Sequence, residues 1–226
     1  MSQQQERPSS PTTREEQKAR TRRRLLSAAL DLIDDGRSFT ALSLRSVAHE
    51  AGITPNAFYR HFDGMEELGL ALVDDIGPTL RQLLRAVRKE SASRGVIRRS
   101  VDTYVEFVRD NKKYFTFIVR ERVGGSARLR AGIRRDIGYF ASELAADIAE
   151  MTPPGLEFSA RATRLTADLI IETMLGVATE IIDLPPDDLQ ASRALTDRFV
   201  DRIVLITVGA ATWDQGRRAR EKASAQ

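Results

Sequence analysis

The chain has 226 residues, with 35 Lys+Arg against 32 Asp+Glu, a formal net charge of +3, and no cysteine. Hydrophobic residues make up 42% and charged residues 30%, the balance of a core-forming globular protein and not of a disordered one. The missing cysteine excludes disulfides, thiolate catalysis, zinc fingers and iron–sulfur clusters, and it suits a reducing cytosol. The longest mostly apolar uncharged run, between Arg202 and Asp214, is too short to span a bilayer. The Gln/Ser/Pro-rich start lacks the apolar segment of a signal peptide, so a cytoplasmic protein without a membrane partner is expected.

Residues 1–12 read as a flexible tail. A helix follows, with Leu25, Ala29, Leu32 and Ile33 at helical spacing, and Gly36 stops it. Its first turns are basic: Arg14 to Arg24 holds six positive and two negative residues, including Arg20, Arg22, Arg23 and Arg24. The segment from Met1 to Phe62 carries a net +3, and the rest of the chain nets zero. Such a cluster attracts a polyphosphate surface, because neutralising phosphates releases condensed counterions; on its own it is equally a solvated helix face. A short helix from Leu44 to Ala51 with Ser43 as N-cap ends at Gly52. Thr54 and Pro55 open another, since Thr caps free N–H groups and Pro at the first position sacrifices no bond; it is expected to run to near Phe62.

Beyond Gly64 the spacing predicts a long helix with Leu72, Ile76, Leu80, Leu83 and Val87 on one stripe. One follows through Ile97, Val101, Tyr104 and Val108, then a short aromatic one from Tyr114 to Arg122. Another carries Leu129, Ile133, Ile137, Phe140, Leu144 and Ile148, and two long helices flank Pro185-Pro186. No period-2 strand or internal repeat is present, so the predicted class is all-α. Between Leu165 and Ile182 the charged residues are Asp168, Glu172 and Glu180 alone, and most of the circumference is apolar or small. Such a helix asks for two burial partners, and core plus a homodimer mate is the economical pair; a helix central to a monomeric bundle is the alternative.

The stretch Ser43 to Phe62 has helix-turn-helix arithmetic: a helix ending in Ala51-Gly52, a glycine turn, Ile53 as plug, and a second helix from Thr54. With the basic helix upstream and the Tyr59-Arg60-His61-Phe62 ending, it resembles the DNA-binding domain of the TetR family of bacterial repressors. Further segments look like the fatty-acid biosynthesis and desaturation repressors FabR and DesT: Arg37-Ser38-Phe39, Ser43-Leu44-Arg45, Glu67-Leu68-Gly69-Leu70, Leu80-Arg81-Gln82-Leu83, Arg120-Glu121-Arg122, Gly124 and Ser126. The resemblance implies a three-helix DNA-binding domain over residues 13–62 and an all-α ligand-binding and dimerisation domain over 63–226. It also implies a palindromic operator in double-stranded DNA, and a long-chain acyl-CoA as effector with no other cofactor. Met65 departs from the pattern, standing where many members carry a Lys.

Residue roles follow. Thr54, Pro55 and Asn56 sit in the first turn of the recognition helix, where Asn56 can pair bidentately with an adenine edge and Thr54 and Pro55 can touch a thymine methyl. Arg45, Tyr59 and His61 are placed as phosphate contacts, Arg22 and Arg23 as part of the basic arm, and Arg60 in either role. Phe58 and Phe62 are core, and a metal at His61 has no partner at ligand spacing.

The candidate lining of an effector cavity is Leu72, Ile76, Phe107, Phe115, Phe140, Ile170 and Met174. From Arg120 to Arg135 six Arg face one Glu, so this run is the expected seat of a phosphate-bearing head; a solvated face is the alternative. No phosphate loop, thiol or acid–base–nucleophile constellation supports an enzyme. Three readings remain: an acyl-CoA-responsive repressor, a repressor sensing another hydrophobic compound such as an efflux substrate, and a non-sensing architectural DNA-binding protein.

Overall fold

A computed structural model describes residues 13–90, 95–152, 158–185 and 187–224. The tail expected over residues 1–12, the stop at Pro153-Pro154-Gly155 and Pro186 lie outside the described residues. Among the described residues there are helices and no strand, and no helix is long and apolar enough to cross a membrane.

Helix α1 (Arg14–Asp34) starts at a reciprocal cap: the Thr13 side chain accepts from the Glu16 N–H, and the Glu16 carboxylate accepts from the Thr13 N–H. Its C-terminal half buries Leu25, Leu26, Ala29, Leu32 and Ile33. Gly36, at φ +92°, takes the left-handed turn that ends it, and a 3₁₀ turn at Phe39–Ala41 follows. Helix α2 (Leu44–Glu50) is capped by Ser43 and α3 (Pro55–Phe58) by Thr54, with Gly52 at φ +63° between them. The recognition helix is shorter than expected. Its last turn loosens after Phe58, because the Phe58 and Phe62 rings, 0% and 1% exposed and 5.7 Å apart, are both drawn into the core.

Helix α4 (Met65–Glu90) leads away from this unit, and α5 (Val96–Asp110), α6 (Lys112–Gly124), α7 (Ala127–Met151), α8 (Ala160–Asp183) and α9 (Leu189–Ser224) complete the chain. Helix α8 packs against both α7 and α9, while α4 lies along α7 and α5 along α9. Its buried stripe from Ala162 through Ile170 and Val177 to Ile181 is what the sequence demanded of a helix apolar on several sides. One hydrophobic cluster runs from α1 through the Phe39 turn into this bundle, so both parts share a core.

A buried carboxylate fastens α8 to α9. Asp214, 2% exposed, accepts from the Ser159 N–H at 2.8 Å and from its hydroxyl at 2.6 Å. Arg217 at 3.2 Å and Arg218 at 2.8 Å flank it. Burial works against its charge, but the Ser159 hydrogen bonds and the two guanidiniums outweigh it and hold this carboxyl down to about 2.

Candidate nucleic-acid interface and ligand cavity

The caps decide what the recognition helix shows to solvent. With Thr54 accepting from the Ala57 N–H at 3.3 Å, Thr54, Pro55, Asn56, Tyr59 and Arg60 are all exposed, while Ala57 and Phe58 turn inward. Tyr59 is 60% exposed, far from the packing that an aromatic residue takes by default. Arg45 is exposed in the first turn of α2, and Arg23 projects from α1. Arg22 stacks its guanidinium 4.4 Å over the Phe62 ring, which fixes the basic arm to the recognition unit.

His61 sits within this field. Burial, and then Lys18, Arg22 and Arg60, push its imidazole below the ordinary value, so it is neutral at pH 7. Its Nδ1 is buried without a partner among the described residues. Arg24, exposed like Arg22 and Arg23, is tied down: its Nη2 donates to the Ala51 carbonyl at the end of α2. A Cβ on Gly52 would stand 2.9 Å from that nitrogen, so the glycine serves both the left-handed turn and this tie. The α4 start is closed by its own side chain, with the Glu67 carboxylate accepting from the Asp63 N–H and Met65 packed against the core.

The recognition unit is held to the bundle through α6. The Phe39 N–H donates to Glu121 at 3.3 Å, and the Phe39 ring meets Phe117 edge-on at 5.3 Å. The ring also fills the space beside Gly69, where a Cβ would come within 2.8 Å of it. Lys113 reaches Asp31 of α1 at 2.7 Å. Glu121 is 3% exposed, and burial pushes its carboxyl up against the opposing pull of the Phe39 N–H and Arg120.

A cavity of about 430 Å³ opens among α4, α5, α7, α8 and α9, at the end of the bundle where α4 passes to α5 and α7 to α8. Phe140, Ile170 and Met174 of the expected set line it. Leu72, Ile76 and Phe107 do not reach it: Leu72 is fully buried in the continuous core, and Ile76 and Phe107 are half-buried against that core. Phe115 lines a neighbouring void of about 50 Å³, which shares Tyr104, Phe140 and Met174 with the large one as a common wall. The cavity meets α4 at Leu84 and Arg88, farther from the recognition unit than Leu72 and Ile76. The lining missed from sequence includes Arg88, Ser100, Tyr104, Phe158, Phe199 and Ile203. One signal was available: Leu80, Leu84 and Arg88 recur at i, i+4, i+8, which puts a cation on the inward stripe of α4.

The arginines from Arg120 to Arg135 are not the cavity's cations. They surround the α6–α7 junction, at the other end of α7, where Arg122 pairs with Glu172 at 3.0 Å and Arg128 with Glu66 at 3.5 Å. On the outside of the bundle, Leu165 and Leu169 of α8 and Val204, Leu205 and Val208 of α9 are exposed, Leu205 by 73%.

A three-helix unit that projects a polar recognition face, braced against a helical domain with an apolar cavity, defines a DNA-binding regulator with a ligand domain. Residues 25–72 match the family described as bacterial regulatory proteins, tetR family, and residues 93–206 match the tetracyclin repressor-like C-terminal domain. The chain belongs to the TetR family of transcriptional regulators. Similar solved structures include FadR of Bacillus halodurans, a fatty acid degradation regulator, at TM-score 0.65 and 17% identity over 82% of this chain and 94% of that one. FadR of Bacillus subtilis, in complex with stearoyl-CoA, superposes at TM-score 0.61 and 14% identity over 81% and 96%. AibR, in complex with isovaleryl coenzyme A and operator DNA, gives 0.62 and 19% over 80% and 96%. At these identities the likeness is one of fold.

Proposed function

We propose that this regulator is a repressor of fatty-acid biosynthesis or desaturation genes whose operator affinity is tuned by a long-chain acyl-CoA. The observation that carries the reading is the cavity: about 430 Å³ with a wall built mostly of aliphatic and aromatic side chains, in a fold whose neighbours were solved with stearoyl-CoA and isovaleryl coenzyme A. Burying a chain there yields about 0.8 kcal/mol per methylene before ordering costs. That is ample to bias two conformations whose cavities differ in shape.

Two copies joined through the exposed apolar face of α8 and α9 would present two recognition helices about a two-fold axis, and so read a near-palindromic site. In each copy Asn56 with Thr54 and Pro55 reads bases, while Arg45, Tyr59, His61 and the Arg22–Arg23 arm hold the backbone and Arg60 serves either role. The wall shared by the two cavities carries a change in filling toward α6, because the smaller one is lined by Tyr114, Phe115 and Ile118. Helix α6 in turn holds Phe39.

The test is a titration of saturated and monounsaturated acyl-CoA into a labelled operator complex, followed by anisotropy, with the protein's association state measured by sedimentation. Both ligands should move the midpoint, to different extents because a cis double bond bends the chain. Ala211→Phe, which fills the cavity from α9, should abolish the response while leaving operator binding in place. A midpoint that answers only to an unrelated hydrophobic cation would transfer the assignment to an efflux-type sensor.

A further inference from the structure

The cavity wall is apolar except for a few groups, and most of those are already used. The Tyr104 hydroxyl donates to the Met174 carbonyl at 2.8 Å. Thr152 donates to the Ile148 carbonyl at 2.7 Å and Thr207 to the Ile203 carbonyl at 3.0 Å. Ser100, near the start of α5, differs: its Oγ is buried and has no hydrogen-bond partner among the described residues. A hydroxyl shut away from water with nothing to bond is unfavourable until something supplies the partner.

Arg88, at the end of α4, lines the same cavity and is 8% exposed. Its Nε and Nη2 donate to one oxygen of the buried Asp147, and Arg85 stands 3.5 Å from the other oxygen. Arg85 is half-exposed and does not line the cavity, so Arg88 is the cation that meets the greasy wall. The pair with Asp147 leaves Nη1 of Arg88 unengaged. An alkyl ligand would give neither the Ser100 hydroxyl nor Nη1 of Arg88 a partner.

We propose that Ser100 and Arg88 form the polar anchor of this cavity, seating the acyl oxygen of a ligand whose hydrocarbon chain fills the rest. The inference rests on the acyl-ligand reading above and adds to it the end of the cavity that recognises the carbonyl. The oxygen can belong to a thioester or to a free carboxylate. Ser100 donates to either, whereas the Arg88 guanidinium acts most strongly on the carboxylate.

Lauroyl-CoA, laurate and dodecyltrimethylammonium, the last having no acyl oxygen, are titrated calorimetrically into the full chain and its variants, with thermal unfolding as the check on folding. Ser100→Ala should weaken both acyl ligands about 5-fold and leave the ammonium unchanged. Ser100→Thr, which keeps the hydroxyl, should restore most of the loss. The double variant R88M/D147L replaces the buried pair by apolar groups of similar size, a change that proteins tolerate far better than removal of one partner. It should weaken laurate by more than about 10-fold. A loss of similar size for lauroyl-CoA would identify the shared carbonyl as the recognised group, and a loss confined to laurate the carboxylate. If wild type binds both acyl ligands and neither variant changes them, the anchor is wrong and the acyl reading stands. Failure of the wild-type chain to bind either acyl ligand, while it takes the ammonium, overturns the acyl reading and the anchor together.

Discussion

The recognition face and the cavity are constructed in opposite ways. The face is local: twenty consecutive residues supply two caps, a left-handed glycine and the side chains that project, with Val47, Phe58 and Phe62 fully buried underneath. The cavity is distributed: its wall takes residues from five helices, with Leu84 and Ile203 more than a hundred positions apart in the chain. A local site tolerates little change within its segment and meets distant residues only through its braces, Arg24 and the contact of Phe39 with α6. A distributed site absorbs single changes in its wall yet depends on how every helix is seated.

The sharpest way to break this contrast is at the anchor of the local site. Phe58→Ala empties a fully buried position and should cost about 3–5 kcal/mol, enough to unfold the recognition unit. Denaturant unfolding should show that loss, and a ligand-binding isotherm on the same variant should stay close to wild type. Equal collapse of both would mean that the two sites do not differ in this way.

A smaller effect separates reading from holding within the face. Asn56→Ala should cost about 1–3 kcal/mol on the correct operator and relax preference at one base pair. Arg45→Ala should weaken all sequences alike and lower the slope of log affinity against log salt by about one unit. Competition with random duplex DNA across a salt series measures both, and equal losses on specific and random DNA for Asn56→Ala would show that it reads nothing.

The smallest effect concerns the distributed part. Asp214 titrates lower when folded than the ordinary 3.8, down to about 2, so the unfolded chain takes up the proton first. Its contribution is complete above about pH 4 and is lost as pH falls through that window. Acid unfolding followed by circular dichroism should therefore be shallower in Asp214→Asn between those values, because that variant has already lost the titrating group. An unchanged acid limb would remove Asp214 as a contributor.

The same contrast explains what could be read in advance. Ser43, Thr54, Pro55, Gly52 and the Tyr59-to-Phe62 ending act on neighbours in sequence, so their roles were visible as spacing, and the all-α class followed from period alone. The end of α3 was misjudged because Phe58 and Phe62 are four apart, as in a continuing helix, and only their packing shows the loosened turn. Arg24 and Arg23 are indistinguishable as letters and both exposed, and three-dimensional placement alone ties one of them to the Ala51 carbonyl. The cavity was legible where a stripe pointed inward late in α7 and along α8, at Phe140, Ile170 and Met174. Leu72, Ile76 and Phe107 lie on stripes just as regular, and whether a stripe meets a partner or a void depends on helices far away in the chain.

The contact between Phe39 and α6 gives the recognition unit a second support. Along the chain it is joined to the bundle by Asp63-Gly64 and α4, which alone would act as a hinge free to swing. The bond from the Phe39 N–H to Glu121, the ring wedged beside Gly69 and Phe117, and the Lys113–Asp31 pair close a second route through α6. Two supports on different helices turn a hinge into a strut frame: a small slide of α6 against α4 becomes a tilt of the whole recognition unit.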